Sequence, residues 1–225
     1  MAKAKVKRKQ SSGSGLIIVV ALGAVMVVLG LIVLSGGFAP PASAPSVSAL
    51  ELCNGKPCPA KGDPNAPVVM IELSDYACHN CRDFVLNTEP LLEQEYVDTG
   101  QVRYVSHVFA LWPESQPAAA AALCANEQGK YWEFHKQAFL NFEQGSFPTT
   151  EAVLNWGQQI GLDSAAFKTC VDSGRYTYDV QVSALEGNRA GVTGTPAFFI
   201  NGQLITGNAS LADFRRAIDA ALAGQ

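Results

Sequence analysis

No acidic residue stands in the first 50 positions of this 225-residue chain, and no cysteine precedes Cys53. Basic residues are scarce past Gly15. Lys3, Lys5, Lys7, Arg8 and Lys9 take five of the 16 Lys and Arg, so 11 basic residues face 20 acidic ones over the rest, a net −9. A main domain with that balance lacks the basic face that phosphate neutralisation requires, which excludes nucleic acid as its partner. No internal repeat is visible, and disorder over most of the length is excluded by a 48% hydrophobic composition.

What is present is sharply zoned. Residues 16–34 carry neither charge nor polar side chain. As a helix this stretch spans about 28 Å, close to a hydrocarbon core of about 30 Å. The five cations of residues 1–15 then mark a cytoplasmic tip, and everything after Ser35 lies outside. The expectation is an uncleaved, single-pass signal anchor in the cell membrane. The alternative is a secreted protein cleaved after Ala42-Ser43-Ala44 or Val47-Ser48-Ala49. Residues 35–50, rich in Pro, Ala and Ser, read as a tether. One globular domain remains, 51–225. All six cysteines fall in it, an even number in an oxidising compartment, with 15 formal pairings.

Val68 to Leu73 is a short apolar run bounded by turn residues and reads as a buried strand. Cys78 to Asp98 reads as a helix kinked at Pro90, and Val102 to Phe109 as a second strand, parallel to the first. A helical block follows over about 113–191, with helix starts at Thr150 and Asp163. Two apolar runs joined by Asn201-Gly202 then predict a hairpin, and Ser210 caps a last helix with Leu211, Phe214, Ile218 and Leu222 on one face. The order β-α-β, helical block, β-β-α gives an α/β fold class with a thioredoxin-like core and a helical insertion.

Cys78-His79-Asn80-Cys81 follows a strand and opens a helix. Cysteines at i and i+3 on a first turn are close enough to bond. The first faces unpaired backbone N–H groups and the positive end of the helix, which favours its thiolate over the free thiol of pKa about 8.5. A protonated His79 would add to this. A stabilised thiolate makes the disulfide a stronger oxidant, and Cys81, one turn in, would act as the second thiol. Other readings are a structural bridge, an inert surface His79, and half of a zinc site shared with Cys53 and Cys58. The flanking strand and long helix speak against zinc knuckles.

The chain resembles the DsbA-like thiol–disulfide oxidoreductases in their membrane-anchored or secreted bacterial form. The motifs are residues 74–77 leading into Cys78-His79-Asn80-Cys81, then residues 129–135 (GKYWEFH), then residues 191–202 (GVTGTPAFFING). The resemblance implies a thioredoxin fold, a cis Thr195–Pro196 bond facing the two cysteines, and oxidation of reduced or unfolded exported proteins. It also implies a quinone-linked membrane reoxidant of the DsbB or VKOR type. No dissociable cofactor and no metal enter, since the Cys78–Cys81 disulfide carries the electrons, and a monomer is expected. A reductase or isomerase remains the enzymatic alternative, although residues 35–60 are too short and Pro-rich to supply an isomerase's dimerisation module. A zinc-binding or peptide-holding module with inert cysteines is the non-enzymatic one.

Proline alone readily takes a cis bond, and it has no N–H, so the backbone of Thr195 beside Pro196 would be left to pair with an extended substrate. An ordinary trans proline is the other reading. Glu72 occupies the place of the family's buried acid and could exchange a proton with Cys81; a solvated strand-edge acid is the alternative. Cys124 and Cys170, if bonded, form a structural staple whose chain-entropy contribution has a ceiling of about 4 kcal/mol. Cys53 and Cys58 would close a small loop, or else form a second redox pair relaying electrons to the first. His107 and His135 read as core or surface residues, and Trp112, Trp132 and Trp156 as core aromatics.

Overall fold

The computed structural model describes residues 52–141, 147–207 and 209–224, with the side chains of Leu52 and Cys53 left out. The expected cytoplasmic tip, membrane helix and tether lie outside these residues. No helix among the described residues is long and apolar enough to cross a membrane.

The described residues form seven strands. β1 (Leu52–Cys53) and β2 (Lys56–Pro57) form a small antiparallel hairpin. β3 (Ala60–Lys61), β4 (Val68–Ser74), β5 (Val102–Val108), β6 (Ala197–Ile200) and β7 (Gln203–Thr206) form one sheet in the order β3-β5-β4-β6-β7. β4 and β5 run parallel, with Glu72 opposite Ser106, and the other pairs are antiparallel. β6 and β7 meet at Asn201 and Gly202, both at positive φ, the conformation a tight two-residue hairpin turn demands.

Both faces of the sheet are covered, so β4 and β5 are largely buried on both sides, with Glu72 and His107 among the buried residues. Adjacent residues on a strand point to opposite faces. Met70, Tyr104 and Phe198 pack on the side that holds Cys78 and Cys81, while Ile71, Leu73, Val105 and Phe199 pack with Cys58 on the other.

Between β4 and β5 the chain is helical from His79 to Val97, but not uniformly. α1 (His79–Asp83) and α2 (Glu89–Leu92) alternate with wider π turns at Phe84–Thr88 and Glu93–Val97. The interruption expected at Pro90 takes the form of these π turns. A proline cannot donate to the ladder and its ring crowds the carbonyl four residues back. The chain widens instead, and the Glu89 N–H reaches back five residues to the Phe84 carbonyl.

Among the described residues, the block between β5 and β6 holds five α-helices: α3 (Gln116–Asn126), α4 (Tyr131–Leu140), α5 (Thr150–Gln159), α6 (Ser164–Ser173) and α7 (Thr177–Arg189). The side chains of Thr149 and Asp163 cap α5 and α6, so α5 starts at Thr150 as expected and α6 directly after Asp163. Cys124 on α3 and Cys170 on α6 are disulfide-bonded, with Cα atoms 5.8 Å apart. α8 (Leu211–Ala223) closes the chain behind a capping box of Ser210 and Asp213, and buries Phe214 and Ile218.

One packing expectation is corrected. Trp112 is 44% exposed, because it sits in the loop after β5 ahead of a short 3-10 turn. Trp156 is buried, and Trp132 only partly so. Cys58 and the Cys78–Cys81 pair also belong to separate clusters on the two sheet faces, so the structure does not assemble the four-cysteine zinc site.

Candidate functional site

The site begins where β4 ends. The buried Asp75 accepts the backbone N–H of Ala77 at 2.7 Å and that of Leu111 at 2.6 Å, and the Ser115 hydroxyl at 2.9 Å. Its own carbonyl accepts the N–H of Cys78 at 3.0 Å. This carboxylate fixes the turn between strand and helix. Its position between an apolar strand and a helix start is an Asx-turn signal that the sequence reading passed over.

Cys78 occupies the N-cap of α1 in extended conformation, and its Sγ accepts the Cys81 N–H at 3.3 Å. Cys78 is nearly buried, and Cys81 wholly so. Both are free thiols. A hydrogen bond from the Cys81 side chain, joined by Thr195 and the backbone N–H groups of Cys81 and Asn80, outweighs burial and lowers Cys78 from 9.0 to about 6. Cys81 moves the other way: burial, then the neighbouring sulfur, push it well above the ordinary thiol range. The two thiols therefore divide into an ionised one at the rim and a protonated one beneath it.

His79 and Asn80 lie on the exposed side of the turn. His79 points its Nε2 at Asp83, 3.3 Å away, on the outer face of the helix. Asn80 contributes through its backbone N–H.

Opposite Cys78 stands the loop before β6, where the Thr195–Pro196 bond is cis. The Cys78 thiol donates to the Thr195 carbonyl at 3.3 Å.

Beneath Cys81 lies a buried polar cluster. Glu72 is fully buried and accepts from the Tyr104 hydroxyl at 2.5 Å. Burial, then the charge of Glu89, raise Glu72 from 4.5 to about 8, and its charge in turn bears on Cys81. His135 on α4, also buried, places Nε2 3.7 Å from Glu72 and 4.0 Å from Glu89, with Nδ1 3.0 Å from the Tyr76 hydroxyl. Burial, helped by Lys61, lowers His135 to about 3, so its imidazole is neutral. Lys61 on β3 bonds both Glu89 and Glu93 at 2.8 Å, connecting the cluster to the surface. His135 and Glu72 thus share one pocket of the core. The sequence reading had separated them, and Glu89 and Lys61 it had not considered.

Glu72, Glu89 and His135 bring one donor atom each within 4.8 Å of one another. The Lys61 ammonium already supplies a cation at this place, and one neutral imidazole with two carboxyls of raised pKa is a set built to share protons.

A thioredoxin fold, a dithiol at a helix N-cap, a facing cis-proline loop and a buried acid together define a class. A family model described as thioredoxin matches residues 56–220, and the chain belongs to that family. Within it the chain is of the DsbA type. It is 26% identical over 164 residues to a putative protein-disulfide oxidoreductase of Rickettsia typhi, covering 72% of this chain and 60% of that one. It is 29% identical over 167 residues to a protein named Na(+)/H(+) antiporter NhaA 1 of Salinispora arenicola, covering 73% of this chain. The chain spans 60% of the length of the Rickettsia relative and 24% of that of the Salinispora relative. Wolbachia pipientis alpha-DsbA1 superposes with a TM-score of 0.65 at 26% identity, over 73% of this chain and 90% of that one.

Proposed function

We propose that this protein is a protein thiol–disulfide oxidoreductase working as an oxidase, which passes the Cys78–Cys81 disulfide to reduced or unfolded exported proteins. The observation that carries this reading is the division between the two thiols. A Cys78 thiolate stable at neutral pH above a buried Cys81 that resists ionisation stabilises the reduced pair relative to ordinary thiols, and so favours donation of the disulfide.

In the proposed cycle a substrate thiolate attacks Cys78 Sγ and the Cys78–Cys81 bond breaks. Cys81 leaves and takes a proton from Glu72, whose raised pKa keeps it protonated at neutral pH. A second substrate thiolate then attacks the substrate sulfur of the mixed disulfide. It expels Cys78 as its stable thiolate, and the substrate departs oxidised by two electrons. The Thr195 backbone, close to Cys78, is the proposed docking edge for an extended substrate segment. Reoxidation is assigned to a quinone-linked membrane protein of the DsbB or VKOR type, and residues 16–34 to an anchor that holds the domain on the outer side. The resemblance to the DsbA-like oxidoreductases supports the reoxidant, and the charge zoning of the chain supports the anchor.

The test is a glutathione equilibrium of the Cys78–Cys81 pair together with reoxidation of a reduced, unfolded substrate. A potential near about −120 mV and loss of substrate oxidation in Cys78→Ser are expected. A potential near about −270 mV sinks the oxidase reading in favour of a reductase.

A further inference from the structure

One sulfur stands outside this chemistry. Cys58 is disulfide-bonded and 4% exposed, on the sheet face away from Cys78. Its Sγ lies 3.6 Å from Nδ1 of His107, a fully buried residue of β5. The other ring nitrogen, Nε2, lies 3.0 Å from the Ser183 carbonyl oxygen and 4.0 Å from a Glu186 carboxylate oxygen. A carbonyl oxygen only accepts, so Nε2 carries the ring proton and Nδ1 turns its basic side to the sulfur.

α7 organises this arrangement. Asp179, Ser183 and Glu186 recur along one helix face at spacings of four and three. Asp179 holds the β1–β2 hairpin by accepting from Asn54 at 2.6 Å and Lys56 at 3.4 Å, while the Ser183 carbonyl holds the imidazole and the Glu186 carboxylate stands 4.0 Å from it. Sulfur, imidazole and carboxylate follow one another, as in sites that stabilise a thiolate.

We propose that the Cys58 disulfide is a second thiol–disulfide exchange site, opened by a dithiol, with Cys58 as the leaving thiolate and His107 as the base that holds it. Its partner in this proposal is Cys53, the cysteine of the sequence left over by the Cys124–Cys170 bond and the free Cys78 and Cys81. A thiolate of the incoming dithiol attacks the Cys53 sulfur, the S–S bond breaks, and its electron pair leaves on Cys58. The second thiol of the reductant attacks the mixed disulfide, closes the reductant's own disulfide and releases Cys53. Two electrons pass from dithiol to protein. One of the two protons ends on Cys53 and the other on the Cys58–His107 pair, where an imidazolium is met by the Ser183 carbonyl and Glu186. A leaving thiolate stabilised in this way leaves faster and makes its disulfide easier to reduce. A purely structural bridge gains nothing from an imidazole at its sulfur, and so short a loop restrains the unfolded chain by roughly 2 kcal/mol at most.

The test uses the full-length protein in graded glutathione buffers at neutral pH, quenched with acid, alkylated, and mapped pair by pair by mass spectrometry. The Cys58 disulfide is expected to open at a reducing strength on the order of tenfold lower than Cys124–Cys170. His107→Asn and Glu186→Gln are each expected to shift its equilibrium toward the disulfide, by roughly threefold to tenfold. Opening only together with Cys124–Cys170, or an equilibrium that neither variant moves, overturns the proposal. Glu186 is only partly buried, so Glu186→Gln decides the matter alone if His107→Asn does not fold.

Discussion

The sulfur of Cys78 and the carbonyl oxygen of Thr195 are 3.3 Å apart across 117 residues of sequence. Neither the helix nor the hairpin makes this contact alone. It exists because β6 pairs antiparallel with β4, placing the residues before β6 beside those after β4.

Cys78, lowered to about 6, should react with iodoacetamide at a rate that rises with pH and levels off above neutrality. Cys81 should stay unmodified until the protein is denatured. Thr195 contributes to the lowering, so Thr195→Val is expected to move the Cys78 midpoint upward. Ultraviolet thiolate absorbance against pH measures it. A midpoint in the wild type near the ordinary thiol value contradicts the division between the two thiols.

Glu72 makes stability depend on pH with a definite sign. Its folded pKa of about 8 lies above the usual 4.5, so the fold binds a proton that the unfolded chain releases. Its contribution is intact below about 4.5 and is lost as pH rises through 8. Glu72→Gln removes this loss and should be more stable than wild type at pH 9, on the order of 2–4 kcal/mol, with little difference at pH 4. Urea unfolding of both proteins at the two pH values checks it.

The Cys124–Cys170 bridge joins α3 to α6 and closes a long loop. Replacing both with alanine should cost about 3 kcal/mol in urea unfolding under non-reducing conditions. Alkylation of Cys78 should keep its pH midpoint, since the bridge lies in the helical block.

Gly187 lets α7 lie close against the sheet. A Cβ there would stand 2.6 Å from Phe109 and 2.8 Å from Leu73, both core side chains. Gly187→Ala should therefore destabilise the fold by about 1–3 kcal/mol, read as a lower urea midpoint with an unchanged slope. A neutral result would mean that the helix can move away from β4 and β5 without loss.

Where chemistry is local, the sequence was legible. Asn201-Gly202 announces its hairpin and Ser210 with Asp213 their cap, because turn and cap geometry is set within a few residues. Cys78 and Cys81 are readable for the same reason: one helical turn sets their relation. The polar cluster was not readable. Lys61, Glu72, Glu89 and His135 come from four elements, and only the paired sheet with α4 over it brings them together. α7 was missed as a separate element because its apolar residues form no sustained stripe, its inner face being largely Asp179, Ser183 and Gly187. The β1–β2 hairpin carries an Asn54-Gly55 turn like that of β6–β7, but strands of two residues offer no alternation to read.

Side-chain alternation along β4 gives the molecule an electrical partition. Glu72 faces the dithiol while Ile71 and Leu73 face the Cys58 bridge, with a wall one strand thick between two sulfur compartments. Thiol exchange needs sulfur to touch sulfur, so electrons entering on one side have no direct passage to the other within a single folded chain. Exchange between the dithiol and the Cys58 bridge would have to run through a second molecule, which lets the two proposed sites work independently.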